Sequence, residues 1–321
     1  MSPEREKITT RFQRLLRGPK LLLMPGGFSP LAAKMSEAAG FEAFFLAGSQ
    51  TAAFLLGLPD VGIMGREEMT QAAQRLAAAC NIPIFVDADT GYGNALNVHY
   101  AVQAYIRAGA AGLHLEDQES PKRSGTAAGR KCISQEEAIG KFRAAMAAKQ
   151  ELDPDFVICA RCDLIGAEGG SFEAAVERCI AYKEEAKVDF IWLNNVQTVE
   201  EVAIAAERIP GPVLPHFGGP PPEPAFQQLE DWGVAAALFP GLTTSVGLQA
   251  TWELLNDLRE RGPAAMAERR EAARRSKWGA VRFDTFAQLT QEQIKAIEDE
   301  YLPAEQQRDY EHTFGHFAPP A

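Results

Sequence analysis

Four carboxylates stand where short apolar runs give way to polar residues. Asp87 and Asp89 lie two apart in VDADTGYG, at the end of the run Pro83–Asp87. Glu116 closes the run Gly112–Glu116, and Asp60 sits in the LPDVG loop that follows Ala43–Ala47. Spaced by two at a strand end, Asp87 and Asp89 lean toward the same mouth once the strand becomes a loop. Like charges held that close raise one another's pKa values unless a cation sits among them. Oxygen ligands without His or Cys favour Mg2+, with Mn2+ as the alternative, because such hard cations keep waters and bind substrate oxygens. The competing explanation is ordinary turn and helix-capping aspartates. Gly91 and Gly93 let the backbone turn tightly beneath the cluster.

Positive charge is placed near the same mouth. Residues 120–131, SPKRSGTAAGRK, form a long basic loop after the Glu116 run. Above a carboxylate site it reads as a mobile lid that carries Lys122 and Arg123 to an anionic substrate and excludes water; a solvated surface loop is the alternative. Arg161 ends the apolar run Phe156–Arg161, so it should clamp a carboxylate, either Glu116 or one on the substrate. Asn194 ends the sixth run, Asp189–Leu193, and His216 ends the seventh, Pro212–His216. His99 and His114 read instead as a helix face and a strand interior.

These residues require a scaffold that brings many strand ends together. Eight apolar runs recur, the remaining two being Leu21–Met24 and Ala235–Phe239. Between them lie helical patterns, among them Pro30–Ala39, Asn97–Ala108, Gln135–Lys149, Phe172–Glu185, Val199–Glu207 and Thr244–Arg261. Continuous apolar strands alternating with helices imply βαβ units and a parallel sheet. Eight such units predict an α/β fold, a (β/α)8 TIM-type barrel, whose site lies at the carboxyl ends of the strands. No GxGxxG follows the first run, which counts against a dinucleotide-binding sheet. The boundaries are read as a catalytic barrel over 1–262 and a C-terminal helical extension and tail over 263–321, with helices at Pro263–Arg274 and Gln291–Tyr301.

Composition narrows the class further. The chain has 321 residues, 32 basic and 43 acidic, for a net charge of −11. An acidic protein is a poor sequence-independent binder of nucleic acid. No apolar run approaches the roughly 20 residues of a membrane span, and the opening MSPEREKITTRFQRLLRG lacks the apolar core of a signal peptide. Five cysteines, an odd number, fit a reduced cytoplasmic protein. Cys159 and Cys162 form a CxxC within a strand, where alternation sets the two sulfurs on opposite faces and so argues against a zinc or redox pair.

The strings LGLPDVG, VDADTGYGNALNV, AGAAGLHLEDQ and PKRSG, within Leu21–Arg261, closely resemble the isocitrate lyase/phosphoenolpyruvate mutase superfamily, and within it 2-methylisocitrate lyase-like enzymes. The resemblance implies Mg2+, 2-hydroxy- or 2-oxo-carboxylate chemistry through a metal-held enolate, and a homotetramer whose dimers swap a C-terminal helix. It makes Asp87 and Asp89 the metal aspartates and Asp60 and Glu116 the carboxylates that hold metal waters. Ala47, Gly48 and Ser49 become a backbone cradle for the substrate carboxylate, Arg161 a substrate contact, and Lys122 to Gly125 the gating loop. Departures from the pattern also matter. The lyases' loop cysteine is Ser124 here, their Glu after strand six is Asn194, their Asn after strand seven is His216, and no Arg appears in 240–245. Ser124 or His216 is then left to handle protons. The expected function is carbon–carbon cleavage of a substituted 2-hydroxy or 2-oxo acid, with Trp192 and Phe217 suiting a less charged distal group. Decarboxylation of an oxaloacetate-type acid is the alternative, and a phosphonopyruvate mutase or hydrolase comes third.

Overall fold

Each of the eight apolar runs becomes a strand: β1 (Leu22–Gly27), β2 (Phe44–Leu46), β3 (Ile84–Asp87), β4 (Gly112–Glu116), β5 (Val157–Cys162), β6 (Phe190–Leu193), β7 (Val213–Pro215) and β8 (Ala236–Phe239). The computed structural model describes residues 6–215, 223–281, 283–286, 289–310 and 312–313. All pairings are parallel, in the order β7-β6-β5-β4-β3-β2-β1-β8. The Ala235 N–H donates to the Val213 carbonyl at 3.0 Å, which brings the two ends of the sheet together. The result is a nearly closed (β/α)8 barrel, as the strand count requires. His216 and the rest of 216–222 lie outside the described residues.

Alternation along the strands divides the core. Met24, Phe45, Phe85, Cys159, Phe190, Trp192, Leu214 and Leu238 pack together in the barrel interior. The intervening residues, among them Leu46, Val86, Leu113, Ile158, Ile191 and Val213, pack outward on the helices. Cys159 falls in the first cluster and Cys162 in the second, and all five cysteines are free.

The helices are α1 (Ile8–Leu16), α2 (Pro30–Ala38), α3 (Gly48–Thr51), α4 (Arg66–Ala79), α5 (Ala95–Arg107), α6 (Gln135–Leu152), α7 (Phe172–Ala181), α8 (Val199–Arg208), α9 (Phe226–Asp231), α10 (Leu242–Arg261), α11 (Pro263–Arg274) and α12 (Gln291–Tyr301). Single π-helical turns follow α3 (Ala52–Leu56) and α7 (Tyr182–Ala186). The α5 start is fixed by a reciprocal cap. The Asn94 side chain accepts from the Leu96 N–H, and the Asn97 side-chain Oδ1 accepts from the Asn94 N–H. That cap leaves only a short loop between Asp87 and the helix. No helix among the described residues is long and apolar enough to cross a membrane.

The charged N-terminal segment yields α1, an element its composition did not reveal. Phe12 on α1 is fully buried, 5.6 Å from the Phe85 ring. A Cβ on Gly112 would stand 3.0 Å from the Phe12 ring. Phe12→Leu, which loses this shape match, should cost about 1–2 kcal/mol. Urea unfolding with an unchanged m-value would show it as a lower midpoint.

Backbone contacts divide the chain into two compact units, Met1–Asn256 and Asp257–Ala321. Within the second, Arg261 pairs with Asp257 and with Glu268 at 2.8 Å.

Candidate active site

The interior-facing positions of β3 to β6 turn polar at their carboxyl ends: Asp87, Glu116, Arg161 and then Asn194. They open into a cavity of about 280 Å3 lined by Phe45, Ser49, Gln50, Asp60, Asp87, Ser124, Gly125, Thr126, Arg161, Trp192, Asn194 and Pro240. Aromatic rings form its floor. His114 meets Trp192 edge-on at 4.7 Å, and Phe45 meets Trp192 edge-on at 5.9 Å.

Asp87 is held by backbone donors. Oδ2 accepts from the Gly48 N–H at 3.1 Å, and Oδ1 from the Asp89 N–H at 2.9 Å. A Cβ at Gly48 would lie 2.7 Å from Asp87 Oδ2, so glycine is what lets α3 approach the carboxylate. Asp89 takes a left-handed backbone (φ 53°), unusual for a residue with a side chain. Burial works against the charge of Asp87, but His114, Lys122 and Arg161 overcome it and hold the carboxyl well below the usual range. Asp89 moves the other way. Burial, reinforced by Glu116 and Asp87 and opposed by Lys122, pushes it up to about 7.

The 120–131 loop reaches down into this cluster. Lys122 is buried, with Nζ at 2.9 Å from Asp60, 3.1 Å from Glu116 and 3.7 Å from Asp89. Those carboxylates raise its pKa well above the ordinary value despite burial. Gln118 supports both sides: its Nε2 donates to Glu116 Oε2 at 2.7 Å and to the Arg123 carbonyl at 3.0 Å. Arg161 pairs with carboxylates of the chain itself. Its Nη1 lies 3.3 Å from Glu116, its Nη2 2.8 Å from Asp163, and its guanidinium 4.7 Å over the Trp192 ring. Asn194 Nδ2 donates to Asp163 Oδ1 at 2.7 Å and to the Gly125 carbonyl at 2.9 Å, joining β6 to the 120–131 loop.

Asp60, Asp87, Asp89, Glu116, Lys122, Arg161, Asn194, Gly125, Ser124 and Ser49 therefore gather at one mouth. Three other residues singled out in the sequence lie differently. Arg123 is exposed, and its Nη1 donates to the Pro121 and Lys122 carbonyls of its own loop. Ala47 is buried with its N–H on the Gly27 carbonyl, and the Gly48 N–H is engaged by Asp87. His216 is outside the described residues.

Two further residues join the cluster, His114 and Asp163. His114 is a strand interior, as its run suggested, yet it faces Asp87 with Nε2 at 3.5 Å from Oδ1. Burial pushes its ring down to about 4, so it is neutral near pH 7. Asp163, which receives Arg161 and Asn194, is fully buried and is pushed up to about 6 by that burial. The signal for His114 was its spacing of two from Glu116, which puts both on one face of β4. Asp87, His114 and Glu116 each present a ligand atom, all within 4.8 Å of one another, a set able to hold a metal ion.

The family model for phosphoenolpyruvate phosphomutase matches residues 12–258. The 2,3-dimethylmalate lyase of Eubacterium barkeri is 36% identical over 251 residues, 78% of this chain and 85% of that protein. Oxaloacetate acetylhydrolase, solved in complex with the inhibitor 3,3-difluorooxalacetate, is 31% identical with a TM-score of 0.75, covering 80% of this chain and 87% of the other. Phosphonopyruvate hydrolase, solved in complex with oxalate and Mg2+, is 27% identical with a TM-score of 0.76, over 92% and 100%. The barrel, the acidic strand ends and these matches agree, and the chain belongs to the phosphoenolpyruvate mutase/isocitrate lyase superfamily of enzymes.

Proposed function

We propose that this chain is a Mg2+-dependent carbon–carbon bond lyase acting on a substituted 2-hydroxy or 2-oxo carboxylic acid. One observation carries the reading: Asp60, Asp89 and Glu116 surround a single cationic centre, Lys122 Nζ, which shares Glu116 Oε1 with Arg161. A nest of carboxylate oxygens that accepts an ammonium has the charge and hardness to take Mg2+ or Mn2+. Asp87 and Asp89 would hold the ion, with Asp60 and Glu116 on its waters, and His114 backs Asp87. A bound cation there supplies positive charge for the oxygens on which negative charge grows during cleavage.

The chain's own groups do the rest. Arg161, locked by Glu116, Asp163 and Trp192, presents a pre-oriented guanidinium for the substrate carboxylate, and Ser49 lines the same cavity at the start of α3, where backbone N–H groups lack helical partners. Phe45, Trp192 and Pro240 exclude water from the reacting carbon. Ser124, on the lid and lining the cavity, would deliver a proton to the departing carbon; His216 is the second proton-handling candidate. The same reading carries a cytoplasmic homotetramer with residues 263–321 exchanged between subunits, supported by the exposed side chains of Val246, Trp252 and Leu255 on α10. Purified protein with Mg2+, screened against 2-hydroxy and 2-oxo dicarboxylates, should release pyruvate or glyoxylate in a dehydrogenase-coupled assay. Absence of either product across the panel would overturn the lyase reading.

A second reading, decarboxylation of an oxaloacetate-type acid, is favoured by the side chain at position 124. The described lining holds a serine and no thiol. Cys132, at the base of the lid, bonds to Asp117, and burial beside that carboxylate pushes its thiol far up. Loss of CO2 needs charge stabilisation but no thiol acid. Oxaloacetate with enzyme and Mg2+ should then lose CO2 faster than with Mg2+ alone, and an equal rate removes this reading.

Asp89 also makes cation binding pH-dependent. Its folded-state pKa of about 7 lies above the ordinary value, so it stabilises the fold at low pH and loses that contribution as pH rises from about 4 through about 7. A divalent cation must displace the proton, so affinity should strengthen up to roughly tenfold per pH unit below that value and level off above it. Calorimetric Mn2+ titrations at pH 5.5, 6.5 and 7.5 test this; a flat profile would exclude Asp89 as the controlling group.

A further inference from the structure

Asp117, one residue beyond β4, is fully buried and is absent from the cavity lining. Its carboxylate nevertheless gathers four donors from three separate elements. Oδ1 accepts from the Asp163 backbone N–H at 2.8 Å and from Cys132 Sγ at 3.5 Å. Oδ2 accepts from Arg178 Nε at 2.9 Å and from the Tyr182 hydroxyl at 2.7 Å. Its backbone is engaged as well. The Asp117 N–H donates to the Arg161 carbonyl at 3.1 Å, and its own carbonyl accepts from the Ile133 N–H at 2.9 Å.

These bonds meet at the two feet of the lid. Gln118 and Cys132 form an antiparallel bridge, and the Glu119 N–H donates to the Lys131 carbonyl at 2.8 Å, so residues 118–132 leave and return through one closed neck. Arg130, also buried, pins the returning strand: Nη2 donates to the Ile165 carbonyl at 2.6 Å, and its own carbonyl accepts from the Glu168 N–H at 3.0 Å. On the far side, the Asp163 carboxylate receives Arg161 and Asn194, and Asn194 reaches the Gly125 carbonyl at the lid tip. One continuous set of bonds thus runs from α7 through Asp117 to both the lid base and the Arg161 guanidinium.

We propose that Asp117 is a positioning residue, braced by Arg178 and Tyr182, that couples closure of the 118–132 lid to the seating of Arg161. If the brace loosens, Cys132 and the Asp163 N–H lose a shared acceptor, so the lid neck opens and Arg161 shifts in the same event. A brace that only supported the barrel would act on global stability without linking these two places. The inference rests on reading 118–132 as the cover of an anion-binding cavity. Its test needs no turnover, so failure of the lyase reading would show in the product screen and not here.

The experiment compares wild type with Tyr182→Phe and Asp117→Asn. Lid opening is read by mapped trypsin cleavage within 123–131 and by the rate at which Ellman's reagent labels Cys132. Arg161 seating is read calorimetrically by the affinity for oxalate in the presence of Mg2+. Loss of one buried hydrogen bond should raise lid cleavage and Cys132 labelling about fivefold or more and weaken oxalate by a similar factor, with the melting temperature of the barrel nearly unchanged. Lid loosening without loss of oxalate affinity, or the reverse, would overturn the coupling. Unchanged behaviour in both readouts, or cleavage rising equally throughout the barrel, would overturn it too. Tyr182→Phe removes a single hydroxyl and decides the matter if Asp117→Asn does not fold.

Discussion

Asp87→Asn should lower kcat/KM for carbon–carbon cleavage by about three orders of magnitude, more than a neutral isostere would ordinarily cost at a solvated site. Both Asp87 oxygens already accept backbone N–H groups, from Gly48 and Asp89. An asparagine can place an oxygen against only one of them. Its NH2 would face the other donor, so the variant loses a charge and also leaves a buried N–H unpaired. The surrounding Lys122 and Arg161 would lose the anion that helps to balance them. Steady-state kinetics across a Mg2+ series, paired with calorimetric Mg2+ titration, measures the effect. Activity within tenfold of wild type at every Mg2+ concentration would remove Asp87 from the proposed ligand set.

Gly125→Ala is the second large effect, and it arises from shape alone. A Cβ at Gly125 would stand 2.0 Å from Arg161 Nη2 and 2.8 Å from Asn194 Nδ2. Neither neighbour is free to retreat. Arg161 is fixed by Glu116, Asp163 and Trp192, and Asn194 is tied to Asp163. The lid tip must therefore lift, and misplacement of an active-site segment by about 1 Å costs on the order of a hundredfold in kcat/KM. The melting temperature should move little, because the lid contributes few core contacts. Gly129→Ala is the control: unlike Gly125 it has a positive φ (78°), but a Cβ there meets nothing within 4 Å. It should strain the lid without reaching the cavity. Equal losses in the two variants would show that general loop strain, and not the contact with Arg161, sets the rate.

The strand ends were legible because parallel strands in a barrel carry long apolar runs, and a charge at the end of such a run is conspicuous. Asp87, Glu116 and Arg161 stand out on that ground, and DADTGYG with EDQ and PKR adds a family resemblance that the comparisons bear out. The runs of hydrophobic residues also sufficed to predict eight strands and their alternation with helices. Helix α1 was hidden because its burial rests largely on Phe12, set among charged neighbours whose pattern reads as a solvated terminus.

Sequence by itself thus determined the fold class, the strand count and the end of the barrel where polar groups collect, because each follows from local periodicity. The tertiary structure alone decided who meets whom. It turned His114 toward Asp87, put Lys122 Nζ among Asp60, Asp89 and Glu116, and let Asp163 take Arg161 and Asn194 together. Those encounters depend on the register of neighbouring strands, Asp87 beside His114 and Glu116 beside Arg161, and on where a long loop closes its neck. Both are set by packing between residues distant in the chain, which no local pattern encodes.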